Sequence, residues 1–185
     1  MSATRADVLS LIEARVADQN LRRHMLACEA IMRALAERFG EDPERWGLAG
    51  LAHDLDADET RDDFTRHGAE AAAALTAAGA PADVAHAVAA HNPATGVAAE
   101  SRMDVALVVA DQLSGLVTAA ALIRPDKQLA GVQLKSLRKR YREGAFARGV
   151  DRAAIARCSE LGLDLDEVLA LGLAAMQTVA PDLGL

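Results

Sequence analysis

Aromatic side chains are scarce. One tryptophan, one tyrosine and three phenylalanines make up 3% of the 185-residue chain. So few rings, with no run of β-branched alternation, exclude a strand-rich fold, and Trp46 and Tyr141 stand too far apart to build a base-stacking platform. There are only two cysteines, Cys28 and Cys158, in no CxxC pair, so a disulfide framework is excluded and a reducing compartment fits. No basic excess is present. The formal charge is -7, which disfavours nucleic-acid polymers and acidic membranes as partners. No uninterrupted apolar run reaches the ~18 residues of a membrane span. Arg5, Asp7, Glu13 and Arg15 leave no apolar stretch for a signal peptide, so a cytoplasmic location is expected. GxSxG, GxxxxGK[ST] and GxGxxG are all missing, which removes the usual nucleophile elbow and phosphate loops.

What remains is rich in small apolar residues: 51% of the chain is hydrophobic. The periodicity is helical nearly throughout. Leu9, Ile12 and Val16 mark a first helix. A second, capped by Asn20, turns Met25, Cys28, Ile31, Met32 and Leu35 inward and stops at Gly40. A third runs from Pro43 to about Asp54. The polar stretch LDADETRDDFTR that follows is a long loop. Further helices are expected over 67–78, 81–91, 101–121, 129–141, 151–161 and 164–179, the last opened by DLDE, a capping-box variant. The expectation is a single all-α domain over 1–185: a compact helical bundle with a core at about 20–125 and a C-terminal helical extension at about 126–185.

Polar residues interrupt this pattern in a particular order. His24 lies near the start of the second helix. His53 and Asp54 close the third, His67 opens the next, and His91 ends the following one in AVAAHNP. Asp111 sits within VALVVADQLSGL, where a carboxylate is expensive to bury unless it meets a cation. Taken singly, each has a plain explanation: a helix cap, a surface group, or for Asp111 an ion pair with Arg102 or Arg124. The order His, His-Asp, His, His, Asp, on different elements, is not needed by independent caps. His86, five residues before His91, is rotated about 140° away and is expected to be a surface or packing residue.

With these residues the sequence resembles the HD-domain metal-dependent phosphohydrolases. The match is His24, the His53–Asp54 pair, His67, His91 and Asp111, and the two additional histidines are similar to the dinuclear subgroup. The HNP, ADQLSGLVTAAALIRPDK and KSLRKRYREGAFARGV contexts resemble an uncharacterised bacterial branch of predicted HD hydrolases. The resemblance implies a helical bundle with a central metal site. His24, His53, Asp54 and Asp111 would hold one ion, and His67 and His91 would hold another with Asp54 as bridge. Asp54 and His53 are the expected catalytic centre. The imidazole-rich set suits two divalent transition-metal ions, Fe, Mn, Zn or Co. The implied reaction is hydrolysis of a small phosphate ester, a nucleotide among the candidates, by a metal-bridging hydroxide. A di-iron oxygenase on the same cage is the alternative, and a non-catalytic sensor the third reading.

One stretch departs from the family. After the HD pair, many relatives carry a lysine or a second histidine, whereas this chain has Asp56 and Asp58, expected to be solvated loop residues rather than outer-shell acids or bases. Candidate substrate-binding cations are Arg66, beside His67, and Lys135, Arg138 and Arg142, which share one face of a basic helix at spacings of three and four. The plainer reading of that helix, a solvated basic face, is slightly preferred.

Overall fold

The computed structural model describes residues 3–185. Among them are ten α-helices and no strand: α1 (Arg5–Arg15), α2 (Gln19–Phe39), α3 (Pro43–Ala52), α4 (Ala69–Ala77), α5 (Ala82–Ala90), α6 (Arg102–Leu122), α7 (Leu134–Arg142), α8 (Arg152–Ala156), α9 (Leu165–Thr178) and α10 (Ala180–Leu183). The all-α expectation holds.

The two longest helices, α2 and α6, carry the centre. α2 buries one stripe, Met25, Cys28, Ile31, Met32 and Leu35, against α3, α6 and α9. α6 opens on a Ser101–Asp104 capping box and is buried on nearly every side. It is long and apolar enough to cross a membrane, yet 61% of its apolar window is packed inside the fold, as befits a core helix. α3 lies so close to α2 that a Cβ on Gly50 would sit 2.7 Å from the carbonyl oxygen of Cys28. The absent side chain lets the two backbones touch. α7, α8 and α9 pack on α6, and α10 packs on α2. The apolar core runs without a break from Val8 to Leu183.

Several boundaries differ from the sequence expectation, each for a local reason. Asp18, not Asn20, caps α2, its carboxylate accepting from the Asn20 N–H at 2.8 Å. Val8 is more deeply buried in α1 than Leu9. The helix expected from 67 begins at Ala69, because Gly68 takes φ +87°, outside the helical region. The helix expected over 129–141 is α7 preceded by a separate 3₁₀ turn at Leu129–Gly131. The one expected over 151–161 passes from α8 into a 3₁₀ turn at Arg157–Leu161. The short helix α10 has no counterpart in the periodicity. At 164, Asp164 accepts from the Glu167 N–H at 2.7 Å, the forward half of the expected box.

The irregular segment between α7 and α8 is organised by Arg152. Its guanidinium donates to the carbonyls of Ala147 and Val150 at 2.7 and 2.8 Å and also to that of Phe146. A stretch with few backbone partners of its own is thereby satisfied from one side chain.

Candidate metal centre

Four helix ends and the middle of α6 converge on one point. His24 comes from the first turns of α2, His53 from the C-cap of α3, His91 from the C-cap of α5, and His67 from the turn before α4. Asp54 follows the end of α3, and Asp111 is mid-α6. His53, His67 and His91 are buried, while His24 and the two aspartates are partly exposed.

Each imidazole is oriented by its outer nitrogen. The Nδ1–H of His53 donates to the Gly50 carbonyl at 2.9 Å, and that of His91 to the Val88 carbonyl at 2.6 Å. The Nδ1–H of His67 donates to Asp56 at 2.9 Å. Ser114 spends its own hydrogen on the Asp111 carbonyl at 2.8 Å, so its oxygen accepts from His24 Nδ1 at 2.9 Å. With Nδ1 donating in every case, every Nε2 faces inward.

The inner atoms crowd together. His24 Nε2 lies 3.1 Å from His53 Nε2, and His67 Nε2 lies 3.2 Å from His91 Nε2. Asp54 reaches all four: Oδ2 is 3.4 Å from His24, and Oδ1 is 3.4 Å from His53, 3.2 Å from His67 and 3.7 Å from His91. Asp111 Oδ1 is 3.1 Å from His24 Nε2 and 3.9 Å from His53 Nε2. Nitrogen lone pairs and carboxylate oxygens at these separations repel unless positive charge lies among them. Metal–ligand bonds of ~2.0–2.2 Å put neighbouring donors roughly 2.9–3.5 Å apart, so the donor set fits cations. The groups fall into two clusters, His24, Cys28, His53 and Asp111 on one side and Asp54, His67 and His91 on the other, with Asp54 between.

Without a cation, protons take that role. Burial opposes charge on His67, but its bonds to Asp54 and Asp56 prevail and raise its pKa to about 9. The His24 pKa also stands well above the usual value: burial opposes this, and Cys28 and Asp111 outweigh it. His53, wholly buried, is pushed down to about 4 by desolvation. Asp54 and Asp111 stay below the ordinary carboxylate range, as the surrounding imidazoles overcome the cost of burial.

Neither arginine considered for Asp111 meets it. Arg102 pairs with Glu41 and Arg124 with Asp126. Asp111 instead receives the side-chain amide of Gln112 at 2.7 Å, and the Gln112 carbonyl oxygen accepts the backbone N–H of Asp151 at 2.8 Å. Gln112 thus ties the central carboxylate to the start of α8. His86 is half exposed and lies 3.2 Å from Asp104, away from the cluster.

Asp56 is not a solvated loop residue. It is fully buried, with Oδ1 on His67 and Oδ2 accepting the N–H groups of Gly68 and Ala71, both at 2.8 Å. Its carboxyl remains below its usual pKa: burial would raise it, and the bonds from His67, Ala71 and Gly68 more than compensate. Asp58 is engaged as well, accepting from the Ala17 N–H at 2.8 Å and pairing with Arg61. Asn92, next to His91, donates to the carbonyls of Phe64 and His67, fastening the end of the 55–66 loop beside His91. Phe64 stacks on the His67 ring, tilted by 25° with 5.2 Å between ring centres, and is largely exposed.

Cys28 is a neighbour that the sequence pattern passes over. It is one turn beyond His24, with Sγ 3.8 Å from His24 Nε2 and 3.5 Å from Ser114 Oγ, and burial raises its thiol pKa. Two cavities flank the cluster. One, of about 590 Å³, touches His91 and Asp111; the other, of about 480 Å³, touches His24. Their cations are Arg157 and Arg23, respectively. Arg66 is exposed and paired with Glu70, Arg138 is paired with Asp166, and Lys135 and Arg142 are exposed on α7; none of the four lines either cavity.

The HD-domain family profile matches residues 21–116, which include His24, His53, Asp54, His67, His91 and Asp111. The chain belongs to the HD-domain family. HD domains bind divalent metals, and membership implies metal-dependent, phosphohydrolase-type chemistry in general terms. No curated protein and no solved structure matches the chain.

Proposed function

We propose that this HD domain hydrolyses a small phosphate ester with two transition-metal ions, drawn from Fe, Mn, Zn or Co. The observation that carries the reading is Asp54, within 3.7 Å of the inner nitrogens of four histidines that belong to two separate clusters. His24, His53 and Asp111 would hold one ion and His67 and His91 the other, Asp54 serving both. The ions would supply Lewis acidity, which lowers the pKa of water at such a site to roughly 7 from ~15.7 in bulk.

The chain's residues do the rest. Asp56, Ser114 and the carbonyls of Gly50 and Val88 fix the four rings, so little reorganisation is needed as charge develops. Asp54 and His53 stand at the centre of the reacting site. The cavity beside His91 and Asp111 admits the ester. An acidic surface and the lack of a stacking platform favour a small substrate over a nucleic-acid polymer or a membrane.

The test is elemental analysis of the purified chain and of Asp54→Ala, with phosphate release assayed under argon and under air. Two metals per chain, lost in the variant, and release independent of oxygen are expected. Turnover that requires oxygen overturns hydrolysis in favour of an oxygenase.

A further inference from the structure

The family match ends at residue 116, but the cavity beside the metal centre does not. Part of its wall comes from the C-terminal extension: Asp151, Ala153, Ala154 and Arg157 line it together with Asp111 and His91. Apart from Gln112, the remaining lining is small and apolar, with no phenylalanine, tyrosine or tryptophan on which a base would stack. A volume of about 590 Å³ suits a compact organic molecule. Two charged groups belong to the wall. Asp151 is committed to capping α8, accepting from the Ala153 N–H at 2.8 Å. Arg157 is only half committed. Its Nε and Nη2 pair with Glu160 at 2.8 and 3.0 Å and Nη2 also reaches the Ala99 carbonyl at 3.5 Å, while Nη1 donates to no group among the described residues.

We propose that Arg157 binds a second anionic group, carboxylate or phosphate, on a compact aliphatic substrate whose phosphate ester sits at the metals. The inference rests on the phosphohydrolase reading. It assigns substrate selection to the C-terminal extension rather than to the family's common core. The free Nη1 edge offers a charge-assisted hydrogen bond, and the Glu160 pair holds the guanidinium in position for it. The basic helix α7, which is denser in cations, lacks access to this cavity.

Binding of phosphonopropionate and of propylphosphonate to the manganese-loaded full chain, measured by calorimetry, tests this without turnover. The two ligands differ by one carboxylate in place of a methyl group. The carboxylate-bearing ligand is expected to bind about tenfold more tightly. Arg157→Ala should erase that preference and Arg157→Lys should retain part of it. Glu160→Gln, which removes that brace from the guanidinium, should shrink it. Equal affinities in the native chain, or a preference that survives in Arg157→Ala, overturn the inference and leave the phosphohydrolase reading standing. Binding of neither phosphonate overturns both.

Discussion

Asp56 accepts the Nδ1–H of His67 at 2.9 Å from a fully buried position, and the same carboxylate holds the first N–H groups of the α4 region. One side chain therefore sets the direction of an imidazole and the start of the helix behind it. Asp56→Asn keeps the shape but replaces one acceptor by a donor. It should weaken metal binding at the His67–His91 side about 10–100-fold, read by metal titration. Urea unfolding of the metal-free protein should show a loss of about 1–3 kcal/mol.

The pKa of His67 gives a pH signature. A histidine whose folded pKa is raised stabilises the metal-free fold fully below its unfolded value of 6.5, and the contribution fades as pH rises through about 9. Melting temperatures of chelator-treated protein should fall across that window, and His67→Gln should flatten the slope. Metal binding must displace the same proton, so affinity for the ion should rise with pH over this range.

Gly50 separates two ligand-bearing helices by no more than a hydrogen atom. In Gly50→Ala the new methyl meets the Cys28 carbonyl at 2.7 Å, against backbone that cannot swing aside. The expected cost is about 1–3 kcal/mol in unfolding experiments. Because α2 carries His24 and α3 ends at His53, the bound metal per chain should drop as well.

The exposed basic face of α7 should be dispensable for turnover. Lys135→Ala combined with Arg142→Ala is expected to change kcat/KM for a small phosphate ester by less than about twofold, since exposed charges away from the site act only through a screened field. A large rise in KM would return α7 to the substrate path.

The helical architecture was legible because small apolar residues recur at helical spacing, and the six polar groups stood out because five of them interrupt that pattern at or near helix ends. Asp56 was not legible. In LDADE it looks like one acid among several, and only the turn that brings Gly68 and Ala71 over it makes it an interior acceptor. Arg157 and Gln112 were hidden for a similar reason: each acts across a gap closed by the packing of α8 on α6. The start of α4 is not legible in the sequence because the positive φ of Gly68 breaks a run that composition alone would continue. Cys28 is inconspicuous in the sequence because its position on the buried stripe of α2 is that of any core residue, and only the packing of α2 on α6 brings it beside His24 and Ser114.

Gln112 makes the C-terminal extension and the central carboxylate parts of one linkage. Its amide grips Asp111 with one end and the first turn of α8 with the other. A guest that nudges α8 therefore tugs on Asp111, so a change at the outer wall reaches the central carboxylate.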